Sequence, residues 1–303
     1  MIYLKLKGRI GNQLFMYANA YCLSKKRGKR EQIVIDERSV KAMNYKNSLR
    51  EYPLENVVYL DSFFSKYRIK VLIMLVVSKI DDIIIKKMNC NSSYYFEEKN
   101  QKYYNKIGLI KVQDGYIPYE VGNTKNVFLD GYFQSTRYFS DADKEIKQLI
   151  TNTMKIDSYP NVDLIKCRNS VCISIKVEDN INNEKFYVCT EEYYRKAIKY
   201  ICEKVDNPLF FVCSDDVEYV KKHFIDTGKY LVIEQDASKT VEETLLVMSC
   251  CKHFIISNSS FAWWAQHLSK NNEKIVVAPS KWYGIVADWQ WDIYEDGWVR
   301  IDV

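Results

Sequence analysis

The chain reads as an α/β protein whose C-terminal half forms a parallel, doubly wound sheet. Three observations carry this. Apolar, largely β-branched runs recur at 170–175, 209–213, 231–233, 253–256 and 275–278. Helical patterns lie between them, the clearest placing Tyr194, Ala197, Ile198, Ile201 and Val205 on one face. Capping residues stand at the strand-to-helix junctions. β-α units of this length return the chain to the same end of the sheet each time, which makes neighbouring strands parallel.

Taken in order, Ile2-Tyr3-Leu4-Lys5-Leu6 is a first strand ending at Lys7, and Gly8-Arg9-Ile10-Gly11-Asn12-Gln13 leads from it into a helix. That helix carries Leu14, Phe15, Ala18, Tyr21 and Cys22 on one face. A glycine loop between strand and helix lets the backbone approach a phosphate or a sugar. Its spacing is not G-x-G-x-x-G, so the dinucleotide fingerprint is absent. Residues 40–125 are rich in Tyr, Lys and Asn and are expected to form a variable, largely helical, acceptor-facing region. A helix is expected from near Ser140. The pattern breaks at 157–161, around Pro160, which divides the chain into an N-terminal domain, 1–157, and a C-terminal domain, 158–303. Within the latter, Thr190-Glu191-Glu192 opens a helix with acidic residues at its positive end. Asp215-Asp216 starts another, bearing Val217, Val220 and Phe224, and residues 240–243 form a T-x-x-E capping box. Pro279 stops the last of the five strands.

The most unusual stretch is Ser257-Asn258-Ser259-Ser260-Phe261-Ala262-Trp263-Trp264. One small polar residue suffices to cap a helix, and here there are four. Their hydroxyls, an amide and the unpaired N–H groups of a helix N-terminus suit an anion. In open parallel sheets ligands bind outside the carboxyl ends of the strands. Polar clusters stand at three such ends, 174–179, 214–216 and 257–260, and together predict one nucleotide-type crevice.

Composition excludes several classes. With 303 residues, 47% hydrophobic and 27% charged, the chain is globular, and its net charge of +5 comes without a nucleic-acid-binding motif. That balance fits an anionic small substrate, or a loose membrane-surface contact, better than nucleic acid. The nine cysteines include adjacent Cys250 and Cys251 and no C-x-x-C pair, which argues against a disulfide framework and a structural zinc. The start lacks signal-peptide character and the longest apolar run, 71–77, is too short to span a bilayer. A reducing cytoplasm is the expected location.

Five segments, in order along nearly the whole chain, resemble glycosyltransferase family 11, the α-1,2-fucosyltransferases. Residues 8–15 with Tyr17-Ala18 are similar to its N-terminal signature, and Gly131-Tyr132-Phe133-Gln134-Ser135 with Arg137-Tyr138-Phe139 to its central motif. Residues 212–216 resemble its F-S-D-D element. Residues 257–264 resemble its S-N-S-[ST]-F-[SA]-W-W segment and Ala278-Pro279-Ser280-Lys281-Trp282 its closing motif. One motif departs. Where the family carries H-x-R-R-G-D, this chain reads Ser174-Ile175-Lys176-Val177-Glu178-Asp179. Lys176 keeps a positive charge but not the bidentate fork of Arg.

The resemblance implies a GT-B-like protein of two Rossmann-like domains. It implies an inverting, metal-independent transfer of fucose from GDP-fucose to a galactose-type hydroxyl, in bacterial-type surface polysaccharide synthesis. No cofactor is expected beyond the GDP-sugar substrate. Domain 1–157 would face the acceptor, a glycan or lipid-linked oligosaccharide, and 158–303 would bind the nucleotide sugar. Asn12 is the candidate at the reacting centre and Lys176 at the diphosphate. The base is open among Asp179, Glu178 and Asp36, the last being also a favoured turn residue. Arg9, Gly11, Ser174, Asp215, Asp216, Ser257, Asn258, Ser259, Ser260 and Phe261 are the candidate nucleotide-sugar contacts. The changes at 174–178 also suit a different nucleotide-sugar donor, or a non-catalytic nucleotide- or glycan-binding protein.

Other features read as structural. Asp141-Ala142-Asp143 matches the D-x-D of metal-dependent transferases, but after Ser140 it suits a helix's first turn. His223, His253 and His267 lack metal-ligand spacing. The cluster Lys25-Lys26-Arg27-Gly28-Lys29-Arg30 is expected to be a solvated helix C-terminus, with a membrane patch at the inner face of the plasma membrane as the alternative.

Overall fold

A computed structural model describes residues 1–28, 31–60, 68–87, 93–153, 156, 159, 161–177, 183–223, 230–232, 240–284 and 292–303. The chain divides into two compact units. The first comprises Met1–Leu149 and Ala287–Tyr294, and the second Ile150–Val286 and Glu295–Val303. The division falls on the N-terminal side of the expected break at 157–161. Pro160, on which that expectation turned, lies outside the described residues, as does Phe224.

The first unit runs β1 (Ile2–Lys5), α1 (Ile10–Lys26), β2 (Ile33–Asp36), α2 (Arg38–Ala42), β3 (Val57–Leu60), α3 (Arg68–Lys87), α4 (Tyr94–Ile107), β4 (Leu109–Val112) and β5 (Val127–Gly131), and α5 (Asp143–Thr151) passes into the second unit. Its five strands are all parallel, in the order β3-β2-β1-β5-β4. Strands β2, β4 and β5 are buried at every position, as strands covered on both faces must be. Helix α1 is buried nearly all round, Asn19 and Ser24 included, which explains its weak periodicity in the sequence. Among its described residues, region 40–125 contains helices α3 and α4 but also β3 and β4, which the sequence reading did not separate out. At four residues each, such apolar runs are too short to distinguish from one face of a helix. A 3-10 turn at Ser140–Ala142, rather than an α-helix, precedes α5.

The second unit contains α6 (Val162–Cys167), β6 (Ser170–Ile175), α7 (Glu191–Lys204), β7 (Leu209–Ser214), α8 (Val217–His223), β8 (Tyr230–Val232), α9 (Val241–Ser249), β9 (His253–Ile255), α10 (Ser260–Leu268), β10 (Val276–Pro279) and β11 (Val299–Ile301). All pairings are parallel, in the order β11-β10-β9-β6-β7-β8. Counted from β6, this is the 3-2-1-4-5-6 arrangement of a doubly wound nucleotide-binding sheet. The expected capping box is present: Glu243 N–H donates to Thr240 Oγ1 and Thr240 N–H to Glu243 Oε2. Strand β10 includes Pro279, which pairs in register with Ile301, and β11 is a sixth, three-residue strand absent from the sequence reading.

Candidate active site

Each sheet has one place where the chain winds away in both directions, and there the loops part and leave room for a ligand. In the second unit it lies between β6 and β9. Ser174, next to last in β6, and Ser257, just past β9, are both buried, with hydroxyls 3.4 Å apart. On the other side of β6 its neighbour is β7, and Asp215, just beyond β7, accepts the Val177 N–H on Oδ1 at 2.7 Å. The three polar clusters read from the sequence therefore come from the adjacent strand ends β9, β6 and β7, and two contacts join them. The second carboxylate oxygen of Asp215 is buried and has no hydrogen-bond partner among the described residues. Lys176 follows β6 directly and is partly exposed.

Two of the candidate side chains there also make bonds within the fold. Asp216 caps α8, its Oδ1 accepting the Tyr219 N–H at 2.8 Å. Asn258 is a structural clamp: its Nδ2 donates to the carbonyls of Phe186 and Trp282, both at 3.0 Å. Ser259 occupies the N-cap of α10 but makes no side-chain capping bond, and Ser259, Ser260 and Phe261 are all partly exposed. The Ser259 hydroxyl is thus not consumed by capping, and the first turn of a helix in this position suits an anion. Trp263 and Trp264 are fully buried, with edge-on rings, and His267 stacks on Trp263. His267 Nδ1 lies 2.7 Å from Glu295 Oε1, and Gln266 donates to the other oxygen at 2.9 Å. Burial would raise the Glu295 carboxyl, but these bonds outweigh it and hold it below its ordinary value. The helix is consequently fixed from behind.

Two residues that shape this site escaped the sequence reading of chemistry. Tyr193 and Tyr194, adjacent on α7 and buried, reach the two strands of the switch point separately. Tyr193 OH donates to the carbonyl of Ile256 at 2.6 Å, and Tyr194 OH to that of Ser174 at 3.1 Å. In the sequence Tyr194 registers only as part of an apolar face; the adjacent pair just after the Thr190 cap was the available signal.

In the first unit the switch point lies between β1 and β5, where the loop at 8–13 meets the segment at 131–135. Gln134 Nε2 donates to Asn12 Oδ1 at 2.7 Å. Gly8, at φ 67°, has Asn12 Nδ2 only 2.5 Å from where a Cβ would sit, so a side chain here would displace Asn12. Gly131 lies against the backbone of β4, where a Cβ would collide with the Val112 carbonyl oxygen. Phe133 follows in the left-handed region, at φ 50°, fully buried, a strained conformation of the kind concentrated at functional sites. Gln13 is structural, fully buried and donating to the carbonyls of Gly8 and Lys46 while accepting from Ser48 N–H. Gly11 is buried in the first turn of α1, and Arg9, exposed at its N-cap, has its guanidinium 5.2 Å from the centre of the Tyr45 ring.

Beneath these motifs lies a charged core. Asp130, next to Gly131, is fully buried and paired with Lys5 at 2.7 Å and with Lys7, and it accepts from Ser78 Oγ at 2.5 Å. Burial would raise its carboxyl, but Lys7 and Lys5 outweigh it and hold it well below the carboxylate range. Burial in turn pushes the Lys7 ammonium down, with Asp130 opposing. Strand β1 thus ends on a lysine that is anchored before the glycine loop begins.

Glu178 and Asp179 lie outside the described residues. Asp36 is engaged by Arg38 on both oxygens, at 2.8 and 2.6 Å, and its Oδ1 also accepts the Arg38 N–H, as a turn residue would. Asp141 pairs with Lys26 and Asp143 with Lys147. Among the described residues no group of three His, Cys, Asp or Glu side chains is placed to hold a metal.

The sequence profile described as glycosyl transferase family 11 matches residues 1–302. The chain belongs to glycosyl transferase family 11. It is a glycosyltransferase, and the two parallel α/β units make its fold GT-B-like. An α-1,2-colitosyltransferase of Escherichia coli is 29% identical, with 98% of each chain covered. The O-antigen biosynthesis glycosyltransferase WbnK, also of Escherichia coli, is 28% identical over 93% of this chain and 95% of that one. The fucosyltransferase NodZ from Bradyrhizobium shares the fold with a TM-score of 0.52, at 12% identity, over 88% of this chain and 93% of that structure.

Proposed function

We propose that this enzyme transfers fucose from GDP-fucose to a galactose-type hydroxyl, with inversion and in α-1,2 linkage, during synthesis of a surface polysaccharide such as an O-antigen. The observation that supports this most is the meeting of Ser174, Ser257 and Asp215 at three adjacent strand ends, beside the open N-terminus of α10. As the glycosidic bond breaks, the sugar gains oxocarbenium character and GDP gathers negative charge. Fixed N–H donors and a cation at the diphosphate stabilise that charge without reorganising. In this reading the first turn of α10 and Lys176 serve the diphosphate, and Asp215 accepts from a ribose hydroxyl or guanine N–H. Asn12, which accepts from Gln134, is the residue assigned to the reacting centre. The acceptor hydroxyl needs a base. Asp36 is withheld by Arg38, so the base is sought in Asp179 or Glu178. Calorimetry with GDP and GDP-fucose, then GDP release with galactosides, tests the assignment. Failure to bind any nucleotide sugar, or binding without acceptor-dependent release, would overturn it.

A second donor has a specific observation behind it. Lys176 stands where the family carries Arg, and a relative of nearly full coverage is named a colitosyltransferase. Faster turnover of GDP-linked colitose than of GDP-fucose would select that donor.

A further inference from the structure

Helix α3 is amphipathic in the reverse sense for a soluble surface helix. Toward the sheet it presents Met74, which packs with Phe128 and Leu109, together with buried Ser78 and Asp81. Ser78 is tied inward, its hydroxyl to Asp130 and its carbonyl to Lys111. Outward it presents Ile73, Val76, Ile80 and Ile83, each 50–56% exposed, with Leu72 and Ile84 beside them. At 100° per residue these six share one side of the helix, a contiguous apolar stripe of the kind that marks an interaction surface. Lys79 and Lys86, seven residues apart and both exposed, border it along one edge, and exposed Lys87 stands at its C-terminal end. The helix's acidic groups do not offset them: Asp81 is buried and Asp82 is bonded to Lys111 at 2.5 Å.

We infer that α3 docks the protein on an anionic lipid surface, its isoleucines entering the acyl boundary and its lysines meeting the headgroups. An apolar stripe edged by lysines suits an interfacial helix, because lysine stems lie along the apolar surface while their ammonium groups reach the phosphates. A second copy of the chain fits less well. In a two-fold interface the same patch meets itself, so the lysines along its edge would lie near their own copies. The helix lies on the bilayer rather than crossing it, since no described helix is long and apolar enough to span one. Lys25 and Lys26 are engaged elsewhere, Lys25 with Glu145 at 2.5 Å and Lys26 with Asp141 at 2.9 Å.

Co-sedimentation of the full chain with vesicles tests this, and it reads no turnover, so its outcome is separate from that of the proposed reaction. Vesicles of phosphatidylcholine with phosphatidylglycerol should retain the protein, high salt should release it, and pure phosphatidylcholine should retain far less. Lys79→Gln with Lys86→Gln should weaken retention by about fivefold per lysine. Ile73→Ser with Ile80→Ser should weaken it by about tenfold or more, with the thermal transition unchanged. Lys25→Gln with Lys26→Gln should leave it as in the parent. Equal retention by neutral vesicles, or indifference to both α3 pairs, would overturn the inference. So would a concentration-dependent dimer abolished by Ile73→Ser with Ile80→Ser, which would assign the stripe to a second copy.

Discussion

Ser174 and Ser257, 83 positions apart in the chain, face each other with hydroxyls 3.4 Å apart where the second sheet changes its winding direction. Each hangs from a strand whose end is held by its own tyrosine, Ser174 by Tyr194 and the residue before Ser257 by Tyr193. One helix, through two adjacent tyrosines in edge contact, thus ties both strand ends and sets the backbone from which the serines project.

Lys176, two residues beyond Ser174, is expected to bear on the donor diphosphate. Lys176→Ala should weaken GDP binding by about tenfold or more, in line with loss of a charge-assisted hydrogen bond, whereas Lys176→Arg should retain it. Titration calorimetry reads both, and equal losses would remove Lys176 from the site.

Asn258 is chosen for its amide rather than its carbonyl. Asn258→Asp places an acceptor where two donors are needed, against the Phe186 and Trp282 carbonyls. A loss of about 2–4 kcal/mol in unfolding free energy is expected, along with donor affinity. Denaturant unfolding would show it; an unchanged midpoint would mean that these carbonyls find other partners.

The Asn12–Gln134 bond joins two loops that the sequence keeps far apart. Asn12→Ala and Gln134→Ala should each slow turnover, and the double variant should fall short of their product by about 1–2 kcal/mol of coupling. Strict additivity in kcat/KM would mean that the bond plays no part in positioning Asn12.

Stability should fall as pH rises towards neutrality. Glu97 is fully buried, and burial pushes its carboxyl up from 4.5 to about 7, with the Gln113 N–H partly opposing. The folded state thus favours the protonated acid. The stabilisation is complete below about 4.5 and disappears by about 7, a change of up to about 3 kcal/mol. Melting temperatures measured from about pH 4.5 to about pH 8 should decline for the parent chain, and Glu97→Gln, neutral throughout, should flatten that decline.

Much of this was legible in the sequence wherever chemistry and period coincide. The capping box at Thr240 and Glu243 and the surplus serines at 257–260 are local signals, read from neighbouring residues. Strands β3 and β4 were not, because four apolar residues carry too little period to define an element. The site was visible as separate strand ends; which ends would be adjacent depended on the strand order β9-β6-β7, a long-range property. Asn258 and Asp216 have side chains that suit both a ligand and a backbone clamp, and the structure shows the clamping bonds that the sequence does not. The charged core around Asp130 was missed for a similar reason. Lysines at alternate positions, Lys5 and Lys7, read as the solvent face of a strand until a buried carboxylate is seen between them.

Residues 292–294 belong with the first unit, where Asp292 pairs with Arg137 at 3.2 Å, while 295–303 rejoin the second and supply β11 and Glu295. Transplanting donor preference from a relative is therefore not a matter of one splice near residue 149. A chimera cut only there would carry a foreign Asp292 against the resident Arg137. Exchange of the second unit between relatives must preserve this returning segment as a separate graft, or recombine it together with the unit it belongs to.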